Sequence, residues 1–468
     1  IISIAIPLLV IYIARTFLLD PLSRIPGPLS ARFSRIWMVQ HSIAGDMHTT
    51  MIALPKKHGK LVRTAPKEVS ISDPTAIKII YGAGTKFRKS DWYSVWQGHR
   101  KFDLFGGRDE KVHGQHRRLI SSIYSLDQLR KLEGGVDTAI SFFIDKLENG
   151  SSVDMSEWAQ LFAFDIIGEV TFSKPFGFLA AGKDDGSFKA IDEALVSATW
   201  IGQVLWLCWW HDRLMPVIGN WLGVNNRNGN LRQFAAKECE ARKGRKSERN
   251  DILTSLFAVK EAKPQEFDDK SLLSMASSNI FAGSDTTGIS IGAVMYNIFK
   301  HPRCKQRLLE EIEETVQKKG LDARKNMTFE AGFAMPYLQA CIYEALRIHP
   351  AVGMSLPRVV PKDGFEIKGG YLPGGVSANP WVIHRQKEIF GNDCETFRAE
   401  RWLERDRGQL DCFFLAFGSG ARMCLGRNLS WIEMTKLVPS ILMRFDVELA
   451  DKSKDPMQHC WQVSHNLT

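Results

Sequence analysis

Hydrophobic and polar positions follow helical periodicity along most of this chain, and short β-like segments interrupt it. The stretch from Ser156 to Leu222 is mostly helical in pattern, and the longest helix candidate runs from Asp268 to Lys300. That candidate stops before His301 and Pro302, because the residue preceding a proline disfavours the helical conformation. Leu61 to Ser72 instead carries β-branched residues on both sides of a proline, which predicts a hairpin. The pattern therefore predicts a mainly α protein with small β-sheets.

The N-terminus is apolar as far as Ile13, and four arginines follow the apolar run: Arg15, Arg24, Arg32 and Arg35. Thirteen residues fall short of the roughly 20 that a membrane-spanning helix needs. The rival interpretation, a secretory signal, lacks both a basic start and a small-residue cleavage site. We therefore expect residues 1–20 to be the remainder of a truncated membrane anchor, with the protein body on the cytoplasmic side. We predict that residues 21–35 form a stiff proline-rich hinge and that residues 36–468 form a single large catalytic domain.

Composition narrows the function classes. The chain has 468 residues, of which 44% are hydrophobic, and a net charge of +9. The basic residues are scattered rather than clustered, so we expect no nucleic-acid partner, whereas an acidic electron donor or an anionic lipid would suit such a surface. The eight cysteines include no C-x-x-C pair. This usage predicts no disulfide framework and a reducing compartment.

Cys424 is the first candidate for chemistry. It follows Phe417-Gly418-Ser419-Gly420, which contains too much glycine for a helix or a strand, and it precedes a helical pattern that begins at Arg427. Free N–H groups and the positive end of a helix dipole favour a thiolate at such a position. A thiolate there is a metal ligand or a nucleophile, although a cysteine taken alone is more often an inert buried side chain.

The residues around Cys424 resemble the F-x-x-G-x-R-x-C-x-G motif of the cytochrome P-450 family, the haem-thiolate monooxygenases. The matching positions are Phe417, Gly420, Arg422, Cys424 and Gly426. The resemblance implies that Cys424 is the metal ligand, axial to the iron of haem b (heme b, iron protoporphyrin IX). It also implies a cofactor-binding loop that includes Phe417, Gly418, Arg422 and Gly426. An axial thiolate donates electron density to the iron and favours O–O cleavage.

A second motif lies in the middle of the long helix candidate, at Ala282-Gly283-Ser284-Asp285-Thr286-Thr287. Small and hydroxyl residues weaken the backbone hydrogen-bond ladder and can bend a helix. Taken alone, the segment could equally be a close helix–helix contact. It also resembles the A/G-G-x-D/E-T pattern of the same family, in which a kink makes room over the haem for dioxygen and water. The resemblance implies that Ala282 and Gly283 lie at the cofactor. It further implies that Thr286 hydrogen-bonds dioxygen and that Asp285 connects it to solvent protons.

Two further segments resemble propionate-binding parts of the family. Family members carry Trp-x-x-x-Arg in the helix that corresponds to Lys111 to Ser122, and here His113 and Arg117 stand in those positions. Arg117 still offers a bidentate donor for a carboxylate, whereas His113 departs from the tryptophan that family members carry there. Without the resemblance, Arg117 would be interpreted as a surface arginine. Arg358, at the end of Ser355-Leu356-Pro357-Arg358, is expected to be another propionate partner.

Glu344 and Arg347 lie on one face of a predicted helix, at a spacing that usually means an exposed pair of little consequence. Here they resemble the family's E-x-x-R motif, whose third member would be Arg401. Ala399 stands where the family usually has proline. The resemblance implies that this triad is a structural clamp behind the haem loop and takes no part in the chemistry.

The resemblance implies monooxygenation of an apolar substrate by O2, with electrons from an NADPH-cytochrome reductase, at the endoplasmic reticulum membrane with the catalytic domain facing the cytoplasm. The tryptophans between residues 200 and 221 favour a pocket roof that touches lipid. Segments such as FRKSDWY are most similar to filamentous-fungal enzymes of the pisatin demethylase type, which indicates secondary metabolism or aromatic substrates. Two alternatives remain. A haem-thiolate isomerase or dehydratase would need no O2 but tends to lack the acid–threonine pair. The other is a non-enzymatic haem-binding protein.

Overall fold

The computed structural model of the chain describes residues 2–148, 152–221, 230–243, 250–367, 370–451, 457–460 and 464–467. Helices dominate these residues, which confirms the prediction of a mainly α protein with small sheets. The helices are α1 (Ile2–Leu18), α2 (Leu29–Phe33), α3 (Ile36–Ala44), α4 (Met47–His58), α5 (Pro74–Tyr81), α6 (Ser94–Gln97), α7 (Glu110–Ile120), α8 (Leu126–Arg130), α9 (Glu133–Glu148), α10 (Met155–Phe172), α11 (Phe178–Ala181), α12 (Ser187–Ile201), α13 (Leu205–Ile218), α14 (Asn230–Arg242), α15 (Ile252–Ala262), α16 (Asp269–Gly283), α17 (Asp285–Lys300), α18 (Pro302–Lys319), α19 (Phe329–Phe333), α20 (Pro336–Ile348), α21 (Pro380–Ile383), α22 (Lys387–Phe390), α23 (Arg401–Glu404), α24 (Arg407–Asp411) and α25 (Arg427–Leu442).

Short strands form three small sheets. The strands are β1 (Leu61–Ala65), β2 (Glu68–Ile71), β3 (Arg88–Lys89), β4 (Arg358–Val359), β5 (Phe365–Ile367), β6 (Gly370–Leu372), β7 (Gly375–Ser377), β8 (Met457–Cys460) and β9 (Ser464–Leu467). The largest sheet has the order β1-β2-β7-β4-β3, in which β2 and β7 are parallel and the other pairs antiparallel. Its β1–β2 pair is the hairpin that the sequence predicts.

Three helices form the centre of the main hydrophobic core. Helix α10 is buried on nearly every side, and it packs along α17 and α16. A helix that is apolar all round belongs inside a large domain. The packing is tight at Gly288 of α17, where a Cβ would come within 2.8 Å of Gln160 Cα on α10. Helix α25 is equally buried from Leu429 to Leu442. The site described below lies between α17 and the loop that leads into α25.

The longest predicted helix, Asp268 to Lys300, is divided at Ser284. Helix α16 ends at Gly283 and α17 begins at Asp285, with Ser284 at φ −80° and ψ −71° between them. The Ser284 hydroxyl donates to the Ile280 carbonyl at 2.6 Å, where it competes with the backbone N–H of the same residue. The predicted bend is therefore confirmed, whereas the prediction of one continuous helix is wrong.

The N-terminal segment forms helix α1 and then meets the domain. Leu22 and Ile25 are buried in the hydrophobic cluster of the five-stranded sheet, and the Arg63 N–H donates to the Pro26 carbonyl at 2.8 Å. The proline-rich segment is thus attached to β1 rather than extended in solvent. Among the residues described, no helix combines the length and apolarity that a membrane crossing requires. The anchor and the bounds of the three predicted segments stay predictions.

Candidate active site around Cys424

The loop that carries Cys424 is shaped by glycines. Gly418 and Gly420 have φ of +71° and +59°, which non-glycine residues rarely adopt. At Gly420 a Cβ would also lie 2.5 Å from the Tyr81 carbonyl oxygen, so the loop backbone rests directly on the end of α5. The Cys424 N–H then donates to the Phe417 carbonyl at 2.8 Å, closing the loop just before α25. These constraints fix the position of the thiol relative to the helix.

The Cys424 sulfur lies in the wall of a recess. The residue is accessible to solvent, yet the surrounding protein desolvates it enough to raise the pKa of its thiol. Accessibility together with dense surroundings places the sulfur in a concave wall and not on the outer surface. The N–H groups of Gly426 and Arg427 and the Arg117 guanidinium oppose that rise in pKa. A bound metal cation would favour the thiolate further.

Helix α17 faces this loop with small and hydroxyl side chains. Ala282, at the end of α16, is exposed and Thr286 is half-buried, so the junction of the two helices is open there. Gly283 instead lies against α10, where a Cβ would come within 2.8 Å of Ile167 Cδ1. The Thr286 hydroxyl donates to the Ala282 carbonyl at 2.6 Å. Thr287, on the adjoining face, shares a hydrogen bond of 2.8 Å with the Ser430 hydroxyl of α25. This hydroxyl pair connects α17 to the helix that follows Cys424.

Asp285 points in a different direction from Thr286. Its carboxyl group is buried, and Oδ1 accepts a hydrogen bond of 2.6 Å from Gln160 Nε2 on α10. The structure therefore places the two adjacent residues of the predicted catalytic pair on different faces of α17. Gln160 was not a candidate from sequence, because nothing local to α10 indicates a partner 125 residues away.

Basic side chains converge on one side of the recess. Arg422 is bound by Glu110 at 2.9 Å and by the Gly107 carbonyl at 2.7 Å, and Arg358 Nη1 donates to the Phe87 carbonyl at 3.2 Å. Two buried donors in this group, Arg358 Nε and Arg422 Nη2, have no hydrogen-bond partner among the residues that the structure describes. Because a buried unsatisfied donor is costly, both indicate an acceptor that belongs there.

Lys89, His113 and Arg117 complete this cluster. Burial, followed by Arg422 and Arg358, lowers the pKa of Lys89 well below its usual value. Burial, Arg422 and Lys89 lower the pKa of His113 to about 3, so its ring is neutral. Burial also lowers the pKa of Arg117, whereas nearby Cys424 raises it. The sequence did not single out Lys89, since a lysine in a polar strand resembles any surface lysine.

The predicted triad is assembled and fully buried. Glu344 Oε2 accepts from Arg347 Nε at 2.8 Å, and Oε1 accepts from Arg347 Nη2 at 2.7 Å and Arg401 Nε at 3.3 Å. The Trp402 indole and the Arg398 N–H also donate to Glu344, at 2.9 and 3.0 Å. Arg401 in turn lowers the pKa of Asp393 through a hydrogen bond of 2.7 Å. The charges are therefore paired and hydrogen-bonded, as burial requires.

A family model described as Cytochrome P450 matches residues 26–467. The chain belongs to the cytochrome P450 family. It is 38% identical over 98% of its length to cytochrome P450 monooxygenase hepC of Aspergillus oryzae, covering 92% of that protein. It is 35% identical over 94% of its length to cytochrome P450 monooxygenase cicH of Emericella nidulans, covering 92%. It is 33% identical over 94% of its length to pisatin demethylase of Fusarium vanettenii, covering 86%. The resemblance found in the sequence is confirmed, and the protein is an enzyme, a P450 monooxygenase.

The family implies haem with a cysteine thiolate ligand, and the residues present fit that group. Cys424 supplies a thiol at the N-terminal end of α25, and the exposed Ala282 and half-buried Thr286 are small side chains that would not obstruct a flat macrocycle. Arg358 and Arg422 share the carboxylate of Glu110, and each has one guanidinium donor without a partner among the described residues, which suits the two carboxylates of haem.

Proposed function

We propose that this P450 inserts one atom of O2 into an apolar, aromatic secondary metabolite, with electrons from an NADPH-dependent flavoprotein reductase. The observation that carries the proposal is the pairing of Cys424 with the open junction of α16 and α17, because a monooxygenase needs a thiolate on one side and an oxygen site on the other. The bound haem supplies dioxygen binding and O–O cleavage, and its thiolate ligand favours that cleavage.

Cys424 would hold the iron, and the cation cluster would hold the carboxylates at the edge of the macrocycle. Arg422 and Arg358 each keep one free donor for a carboxylate oxygen, and Arg117 lies close enough to Cys424 to influence its charge. His113 stands where family members have tryptophan. Because its ring is neutral, it can donate one hydrogen bond without adding another cation.

Thr286 would manage the proton supply. Its hydroxyl hydrogen is donated to the Ala282 carbonyl, so its oxygen lone pairs remain available to accept from a water molecule in the open junction of α16 and α17. Asp285 would deliver protons from solvent. Since Gln160 holds its carboxylate against α10, this role requires a side-chain rotation toward Thr286.

Apolar residues next to Thr286 support an apolar substrate. Ile289, one turn further along α17, packs with Ala351 and with Leu195 of α12. On the outside, α13 exposes Trp206, Trp209 and Trp210 together with Val217 and Ile218. Large exposed apolar patches mark interaction surfaces. We propose that this patch and α1 contact the endoplasmic reticulum membrane, so that the substrate enters from lipid.

The decisive experiment is to incubate the purified enzyme, a P450 reductase and NADPH with extracts that contain small aromatic compounds, and to search for products heavier by one oxygen atom. We expect the gain to require O2 and to disappear in Cys424→Ser, which should also lose the red-shifted Soret band of the reduced carbon monoxide complex. Substrate conversion without a change in mass and without O2 would instead support an isomerase.

A further inference from the structure

His384 lies between the buried triad and the start of the Cys424 loop. It directly follows α21 and is completely buried. Its Nε2 is 2.7 Å from the backbone nitrogen of Leu415, and its Nδ1 is 3.0 Å from the Arg347 carbonyl oxygen. A backbone N–H can only donate, so Nε2 must accept. The ring hydrogen is therefore on Nδ1 and is donated to Arg347, which fixes the tautomer.

Leu415 is the residue through which the Cys424 loop bonds to His384. Its carbonyl accepts from the Gly418 N–H at 2.9 Å, and the Cys424 N–H then closes the loop on the Phe417 carbonyl. The ring of Phe414 stacks on the imidazole of His384, with centroids 5.5 Å apart and planes within 8°. The imidazole thus contacts two consecutive residues at the base of the loop.

Arg347 holds His384 from the other side as well. Its Nη1 donates to the His384 carbonyl at 2.7 Å, in addition to the contact between its own carbonyl and the ring. The charged groups facing the ring are Arg347 and Arg385, and both oppose protonation, although burial is the larger cause of a pKa of about 3. A protonated ring would place an N–H against the Leu415 N–H, so the bridge works as a neutral group.

We propose that His384 is a positioning residue for the Cys424 loop. It accepts one hydrogen bond from Leu415 of the loop and donates one to Arg347, and it thereby connects the loop to the Glu344–Arg347–Arg401 triad. The family motifs place the triad behind the loop, but neither Glu344 nor Arg401 hydrogen-bonds the segment from Leu415 to Cys424 among the contacts described. His384 provides that connection. The inference rests on Cys424 as the haem ligand.

The test compares three substitutions at this position in the haem-loaded protein. His384→Gln can place an acceptor near the Nε2 position, His384→Asn replaces the Nδ1 side but leaves the Leu415 N–H without a partner, and His384→Phe removes both bonds while keeping a stacked ring. His301→Phe is the control, because His301 also bonds a backbone carbonyl through Nδ1, at 2.7 Å, and stacks on a phenylalanine, but remote from the loop.

The readouts are haem content and the share of the reduced carbon monoxide complex that shows the red-shifted, thiolate-ligated Soret band, followed over time and as pH falls. We expect His384→Asn and His384→Phe to lose the thiolate band roughly tenfold faster than wild type, since a buried N–H is left unsatisfied. His384→Gln and His301→Phe should retain it. Equal rates in the Asn and Gln variants would overturn the proposal, and their contrast decides the matter even if His384→Phe does not fold. If wild type lacked the band altogether, the proposed function would fail instead.

Discussion

The two sides of the site are built in opposite ways. Behind Cys424, the loop is held by buried ion pairs, by His384 and by glycines whose conformation no other residue adopts easily. On the facing side, the junction of α16 and α17 presents small residues and hydroxyls that bond one turn back along the chain, such as Thr286 to the Ala282 carbonyl. The cysteine side is thus fixed by buried charges and glycines. On the facing side, Asp285 and Thr287 bond to distant helices, whereas the Thr286 hydroxyl bonds only one turn back along the chain.

This difference separates structure from chemistry. Removing one member of a buried charged network destabilises the fold, because the remaining charge stays buried without a counter-ion. A hydroxyl bonded one turn back along the chain can be removed with little effect on the fold, so such a residue is free to serve the reaction. We therefore expect substitutions behind the loop to change haem loading, and substitutions on α17 to change the products.

Glu344→Ala should have the largest effect. It leaves the guanidinium groups of Arg347 and Arg401 buried without their shared carboxylate, which costs about 3–5 kcal/mol, much of a typical net stability of roughly 5–15 kcal/mol. Little haem-loaded protein should be recovered, as measured by the ratio of Soret to protein absorbance. Glu388→Ala is the control, because both partners of its ion pair with Lys60 are about half-exposed and the pair should contribute little. Equal yields would contradict a structural role for the triad.

The sequence predicted those features of the two sides that depend on residues close together in the chain. The run Ala282 to Thr287 predicted a bend, and the i,i+3 spacing predicted that Glu344 and Arg347 share a face. It could not predict that Arg422 binds Glu110, since the two are 312 residues apart. For the same reason, the roles of Gln160 and His384 were missed. Such contacts depend on how helices pack, which no local pattern encodes.

Acid should lower the free energy of unfolding through the buried histidines on the cysteine side of the site. The pKa values of His113 and His384 are lowered to about 3 in the folded protein, against about 6.5 for an unfolded histidine. The unfolded chain therefore binds more protons below pH 6.5, and stability present above that pH falls as pH drops toward 3. The urea midpoint should decrease between pH 7.5 and pH 5. His384→Gln should show a smaller decrease, and an unchanged pH dependence would contradict the buried neutral state of this ring.

Thr286→Ala should have a smaller effect on the fold and a clear one on the reaction. The variant loses a hydroxyl bonded only one turn back along the chain, so it should fold and bind haem normally. Without that hydroxyl to order the proton-donating water, more of the NADPH-derived electrons should produce peroxide. The measurement is the ratio of product formed to NADPH consumed. Wild-type coupling in this variant would refute the proton-delivery role of Thr286.

The smallest expected effect concerns the hydroxyl pair that joins the two sides. Thr287 and Ser430 share one partly buried hydrogen bond between α17 and α25, and such a bond contributes about 0.5–1.5 kcal/mol. A double-mutant cycle of Thr287→Val and Ser430→Ala, read from urea unfolding, should give a coupling energy of that size. Thr171→Val is the matched control, because the buried Thr171 hydroxyl has no hydrogen-bond partner in the structure, so its loss should be near neutral. If the two sides were joined more tightly than one hydroxyl pair allows, the double variant would also lose thiolate ligation. We expect it to keep its red-shifted Soret band, because the contacts that place Cys424 do not pass through α17.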